Sequence, residues 1–283
     1  MNASDVSDRL GVEIISEFGG RNNRHWLVHR RGDRLVLKQW ADGDPGSFAY
    51  EKEMLGGLAA KGWPVAVPEE AIESDGQHWS LSPYLPGEPR SETTSEDRRA
   101  RGRLLAKLHA DTMTLGISNQ RPGWRRCEEI LADENLDRIL AEHDEEPSDQ
   151  IRRRLSTARA LAKDLELAER PSIPIHGDFA PWNLLYSGDR LTGLIDFELA
   201  RHDHRVADFS LAWRGKYDDV IYGYEQLSPL SEDERLILVV AWWATLIDVG
   251  CRNLINGLCD DGWTANKLRE RSSLMDRILA GRD

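Results

Sequence analysis

The sequence predicts an α+β fold in two lobes, a small β-rich N-terminal lobe and a larger helical C-terminal lobe. Three observations predict it. Residues 11–40 alternate apolar and polar with turn signals between the runs, the pattern of strands half-buried on one face. The patterning turns helical after Leu85-Pro86-Gly87-Glu88-Pro89-Arg90. A β-rich island at 173–197 then interrupts the helical part.

The elements follow in order. VEII at 12–15 reads as a strand and GGRNN at 19–23 as a turn. HWLVHR at 25–30 and RLVLKQW at 34–40 flank Arg31-Gly32-Asp33, a hairpin signal. Tyr50, Met54, Leu55 and Leu58 recur at helical spacing and predict a helix over 46–61. WPVAVPEEAI and QHWSLSPYL read as two further strands. Residues 1–86 therefore form one lobe, with a linker near 84–88, and residues 87–283 the other. In the second lobe, Thr94 with Asp97 makes a capping-box pattern ahead of a stripe of Leu104, Leu105 and Leu108. Helices are expected at 125–142 and 148–168, at 235–257 behind a Ser231/Glu234 cap, and at 264–280.

Composition excludes several functions. The chain has 283 residues and a formal net charge of -12. Phosphate-rich partners need basic patches, so neither nucleic acid nor an anionic membrane is an expected partner. The same charge suits a cationic or amine-bearing small molecule. The apolar run LILVVAWWATLI at 236–247 is shorter than the roughly 20 residues of a membrane span and reads as a buried helix. The polar start MNASDVSDRL has no apolar signal core. Cys127, Cys251 and Cys259 fit no zinc spacing and read as reduced thiols of a cytoplasmic protein. Nothing in the sequence indicates an oligomeric state.

The chemistry is concentrated in IHGDFAPWNLLYSGDRLTGLIDFE at 175–198. A polar loop from His176 to Asn183 precedes a hairpin that turns at Ser187-Gly188-Asp189 and ends at Asp196. A hairpin returns its far end to its start, so Asp178, Asn183 and Asp196 are expected to converge. Asn183 and Asp196 offer hard oxygen ligands suited to Mg²⁺. Asp178 is left to accept a proton from a substrate hydroxyl or to orient it. The order His-x-Asp-x-x-x-x-Asn followed by Asp-Phe matches the spacing of a kinase catalytic loop and metal-binding aspartate. A kinase also needs a strand lysine for the ATP phosphates and a helix carboxylate to hold it. Lys38 lies in an alternating strand and Glu51 early on the next helix. Glu53 is the rival for that role, since two residues turn about 200° around a helix and only one can face Lys38. The turn with Gly20, Arg21, Asn22 and Asn23 is the candidate phosphate-covering loop.

On these motifs the chain resembles the aminoglycoside phosphotransferase and choline kinase group, which shares the protein-kinase-like fold. The resemblance runs from Gly19 to about Trp213 and is most specific in IHGDFAPWNLLY and LTGLIDFELAR. It implies an ATP-dependent O-phosphotransferase, with ATP and Mg²⁺, acting on an antibiotic, amino sugar or amino alcohol. It implies adenine contacts from the backbone of Pro83 and Leu85 in SPYLPGEP; Pro83, lacking an N–H, offers only its carbonyl. It also implies that Asp208 in ADFSLA braces the catalytic loop and that His176 is structural. Two alternatives are a non-catalytic nucleotide-binding protein of this fold and a protein kinase. The second is disfavoured because only eleven residues separate Asp196 from Asp208, too few to display a peptide. His202-Asp203-His204 hints at a metal, but no third and fourth ligand is evident. Trp213, Trp242, Trp243, Asp248 and Trp263 are candidates for core or acceptor pocket.

Overall fold

The computed structural model describes residues 3–18, 23–41, 44–143, 146–257 and 263–280. They form two compact units, and neither is one continuous stretch of chain. The first is Met1–Arg90 with Leu115–Gly123 and Trp182–Asp196; the second is Ser91–Thr114, Trp124–Pro181 and Phe197–Asp283.

The first unit is built on a five-stranded antiparallel sheet. Its strands are β1 (Glu13–Phe18), β2 (Arg24–Arg30), β3 (Asp33–Trp40), β4 (Glu70–Ser74) and β5 (Gln77–Pro83), in the order β1-β2-β3-β5-β4. The register pairs Trp26 with Leu37 and Leu37 with Leu81, and on the next rung His25 with Lys38 and Lys38 with Ser80. Side chains alternate along a strand, so these two rungs face opposite sides. One side is dry. Trp26, Val28, Leu35, Leu37, Trp79 and Leu81 pack there with Val6 and Val12. Val6 comes from a helix, α1 (Ala3–Leu10), which the polar N-terminal sequence did not suggest. The other side carries Lys38 and is covered by α2 (Pro45–Ala60), whose Tyr50, Met54, Leu55 and Leu58 are buried as their spacing predicts. Phe48 meets Trp40 edge-on at 5.8 Å. Asp44 starts α2 by accepting a hydrogen bond from the Gly46 N–H at 2.7 Å, and Pro45 occupies the first turn, where no N–H is needed. The expected strand WPVAVPEEAI is realised only at its end, where the strand Glu70–Ser74 begins. The Glu69 N–H donates to the Leu81 carbonyl at 2.9 Å, which begins the pairing there. The hairpin of Leu184–Ser187 and Arg190–Leu194 completes this unit, edged by the short strand Glu88–Pro89.

The second unit is mostly helical. α3 (Ser95–Thr112) opens with the expected capping box, Thr94 Oγ1 accepting from the Asp97 N–H at 3.1 Å. The single helix expected over 125–142 is two, α4 (Cys127–Ala132) and α5 (Asn135–Glu142). Asp133 ends the first and accepts the Asn135 N–H at 3.0 Å, competing with a continuous helix as Asp side chains do. α6 (Glu146–Asp164), the short α7 (Phe209–Ala212) and α8 (Asp218–Glu225) follow. α9 (Glu232–Ile255) has the Ser231/Glu234 capping box and buries Leu236–Ala244. No helix among the described residues is long and apolar enough to cross a membrane. The last expected helix is also two, α10 (Trp263–Arg269) and α11 (Ser273–Leu279), because Ser272 caps the second. A pair of three-residue strands, Ile173–Ile175 and Arg201–Asp203, lies antiparallel among the helices.

Candidate active site

The amine of Lys38 sits 3.2 Å from both carboxylate oxygens of Glu51 and 3.8 Å from the centre of the Trp40 ring, two residues along the same strand. Glu51 is 6% exposed, while Glu53 lies on the exposed side of α2, so Glu51 is the one that faces the lysine. His25 is Lys38's neighbour on β2. Burial, then the charge of Lys38, depress the His25 pKa to about 4, so its ring is neutral at ordinary pH. Asn23 is buried and accepts the Ala41 N–H at 2.8 Å. Gly20, Arg21 and Asn22 of the candidate phosphate loop lie outside the described residues, as does Cys259.

In the second unit, the strand Ile173–Ile175 delivers the chain into the loop at His176–Asp178. Gly177 has a φ of +83°, and a Cβ there would lie 2.2 Å from the Leu199 carbonyl oxygen, so the loop requires glycine at this point. Asp208, with no exposed surface, accepts the His176 N–H at 2.9 Å and the Gly177 N–H at 2.7 Å. A carboxylate only accepts, so His109 Nε2 carries the proton of the 3.0 Å bond to Asp208, and His109 Nδ1 faces the Tyr224 hydroxyl at 2.9 Å. Burial raises the Asp208 carboxyl, but the hydrogen bond and charge of His109, with His176, outweigh it and leave its pKa below the usual carboxylate value. The Asp178 N–H donates to His176 Nδ1 at 3.2 Å and its carbonyl accepts from Ala180 at 2.8 Å. Arg101, buried and paired with Glu92 at 2.6 Å, donates to the carbonyls of Phe179 and Ala212 at 3.0 and 2.9 Å. Asp178 itself is half-buried on this fixed loop.

Asn183 and Asp196 lie in the first unit, at the open end of the hairpin. The Ile195 N–H donates to the Asn183 carbonyl at 3.0 Å, one step beyond the Leu184–Leu194 pair, which sets Asn183 beside the residue preceding Asp196. Asn183 is buried and Asp196 exposed. Asp196 has a φ of +67°, in the left-handed region that aspartate tolerates better than most residues. The Leu194 N–H bonds to the Pro64 carbonyl at 2.8 Å and ties the hairpin to the segment after α2. Pro83 ends β5 opposite Leu35, and Leu85 follows, half-buried, after the Tyr84 N–H has bonded to the Arg34 carbonyl at 3.1 Å.

This arrangement has known counterparts. The model of the phosphotransferase enzyme family matches residues 14–228, most of the chain. The chain belongs to that family. It is an ATP-dependent small-molecule kinase with an alcohol group as acceptor. A homoserine kinase of Zymomonas mobilis subsp. mobilis is 26% identical over 263 residues, covering 83% of this chain and 78% of that protein. A homoserine kinase of Phenylobacterium zucineum is 29% identical over 265 residues, covering 83% and 77%. The solved aminoglycoside phosphotransferase APH(4)-Ia superposes with a TM-score of 0.73 at 16% identity over the whole of both chains, which establishes the protein-kinase-like fold.

Several residues of this phosphotransferase were not singled out in the sequence. His109 pairs with Asp208 across 99 residues of chain, and Arg101 reaches Phe179 across 78, with no local pattern to announce either. Arg121 is 2% exposed and lies 3.8 Å from Glu51, although arginine on an irregular segment reads as surface. Asp203 and His204 do have further neighbours: ligand-type atoms of Cys127, Glu128, Asp203 and His204 lie within 4.8 Å of one another. Their charges are met inside the chain, Asp203 by Arg201 at 2.9 Å and Glu128 by Arg126 at 2.6 Å. Burial, with Asp203 and Glu128 beside it, pushes the Cys127 thiol well up, which keeps it protonated. Cys251 is buried too, its pKa raised to about 12 by burial and then by Asp248. Trp213, Trp242 and Trp243 are core, Trp263 is exposed, and Asp248 pairs with Arg125 and Arg252.

Proposed function

We propose that this kinase transfers the γ-phosphoryl group of ATP to a hydroxyl of a small, amine-bearing molecule in the cytoplasm, with Mg²⁺. The observation that carries the reading is the Lys38–Glu51 ion pair, 3.2 Å long and largely buried between a regular strand and α2, in the unit that also holds Asn183 and Asp196. Lys38 neutralises nucleotide phosphate charge and Glu51 fixes its amine in one place. The residues present fit Mg²⁺: an amide and a carboxylate supply hard oxygens, and the hairpin ladder holds Asn183 beside the approach to Asp196. The ion, when bound, neutralises charge on the transferring phosphate. Pro83 and Leu85 offer backbone groups to adenine, and the loop of Gly20, Arg21, Asn22 and Asn23 covers the phosphates. Asp178 orients the acceptor hydroxyl and takes its proton; its own bonds to His176 and Ala180, with the Gly177 N–H bonded to Asp208, hold its backbone ready for that.

Three things support the amine-bearing acceptor. The chain carries a net charge of -12. Sequence relatives are homoserine kinases, and APH(4)-Ia has been solved in ternary complexes with hygromycin B and ADP or AMP-PNP. Homoserine and hygromycin B share an amine and a free hydroxyl. A screen of ADP release across homoserine, choline, amino sugars, aminoglycosides, peptide antibiotics and macrolides tests the reading, with mass detection of the added phosphoryl group. Turnover confined to neutral or anionic acceptors would remove the amine requirement, and no turnover with any hydroxyl would remove the acceptor class.

A further inference from the structure

The segment Leu115–Gly123 follows α3 in the chain but folds with the first unit, alongside α2. It runs antiparallel to that helix. Leu115 packs against Gly57 near the helix C-terminus, its side chain 2.7 Å from where a Cβ would stand, and Pro122 packs in the same way against Gly46 at the N-terminus, at 2.6 Å. Between these contacts the strap sends Arg121 inward. Its guanidinium, 2% exposed, lies 3.8 Å from Glu51 Oε2 and 5.8 Å from the Trp40 ring that also carries the Lys38 amine.

We infer that Arg121 is a positioning residue for the phosphate site, holding Glu51 at the Oε2 oxygen that also meets Lys38 and adding a second cation beside the pair. Lys38 and Glu51 alone make a neutral pair, which attracts a polyphosphate weakly. With Arg121 the three groups sum to one positive charge, in a setting where water screens little. Glu51, shared between two cations, draws less on the lysine, so more of the Lys38 charge faces the nucleotide. The strap also fixes the helix that carries Glu51. Because the arginine reaches Glu51 and not the substrate, it acts through its neighbour.

The inference rests on the proposed phosphate-binding role of Lys38, and the test separates the two. Mg-ATP affinity is measured by calorimetry and kcat with a saturating acceptor, in the full-length protein, for Arg121→Met, Arg121→Lys and Lys38→Ala. Arg121→Met keeps the stem and removes the charge. It is expected to weaken Mg-ATP binding on the order of tenfold, with kcat changed less, and Arg121→Lys to recover most of the loss. Wild-type affinity in Arg121→Met beside a weakened Lys38→Ala would overturn the role of Arg121 and leave the site intact. Wild-type affinity in Lys38→Ala would instead remove the site. If Arg121→Met does not fold, Arg121→Gln is measured in its place: a tenfold loss at native Tm upholds the charge argument, and wild-type affinity overturns it.

Discussion

The Lys38 region and the His176–Asp178 loop are each held by one buried carboxylate, and the two carboxylates hold different things. Glu51 holds a side chain. Lys38 sits on a strand whose backbone is already paired with β2 and β5, so only its amine needs fixing. Asp208 holds backbone. His176 and Gly177 lie past the end of a three-residue strand, and Asp208 satisfies both of their N–H groups. In the first region the scaffold would stand without the carboxylate. In the second the carboxylate is part of the scaffold. Neutralising Glu51 should therefore cost function before stability, and neutralising Asp208 the reverse.

The largest effect is expected at the residue the loop presents. Asp178→Asn keeps the shape but cannot take a proton, and turnover should fall roughly 10²–10⁴-fold with Mg-ATP affinity near normal. Asp196→Ala should lose nucleotide affinity as well. Calorimetry beside steady-state rates distinguishes them, and an Asp178→Asn enzyme at full rate would sink the assignment. Next is Asp208→Asn. It turns amide hydrogens toward donors in a fully buried site, and unfolding in urea should show a loss of about 3–5 kcal/mol. The sign with pH follows. The folded pKa of Asp208 is depressed, so its contribution is present above the unfolded value of about 3.9 and is lost as pH falls through the folded value. The wild type should show that acid limb and Asp208→Asn should not. A variant as stable as the wild type would erase the contrast between the two carboxylates.

A smaller effect is expected from Glu51→Gln, which should lower turnover about tenfold (~1.4 kcal/mol) and cost less stability than Asp208→Asn. Glu53→Gln, on the exposed face, should be silent; the opposite result would place the other carboxylate on Lys38. The last concerns His25. Its folded pKa of about 4 lies below the ordinary histidine value of 6.5, so the unfolded chain binds more protons between those limits. Stability should fall as pH drops through this window, by at most about 1.4 kcal/mol per unit, and His25→Gln should flatten the slope. An unchanged slope in that variant would mean that His25 is hydrated in solution.

Period and punctuation made much of this molecule legible in its sequence. The alternation in 25–40 fixes which side of the sheet Lys38 faces, because side chains alternate whatever the strand packs against. The stripe Tyr50–Leu58 sets the register that turns Glu51 inward. The hairpin turn at 187–189 brings Asn183 to the residue preceding Asp196, and the capping boxes at Thr94 and Ser231 start their helices where the sequence predicts. These are local rules, each satisfied within about a dozen residues.

Long-range packing decided the rest. A polar N-terminal stretch becomes a helix because Val6 finds the open face of a sheet. His109, Arg101 and Arg121 gain their roles only by meeting Asp208, Phe179 and Glu51, each distant in the chain. Their charge gives no local sign of burial. A buried polar group is stable only if its partners arrive together, and no local pattern encodes when distant segments meet.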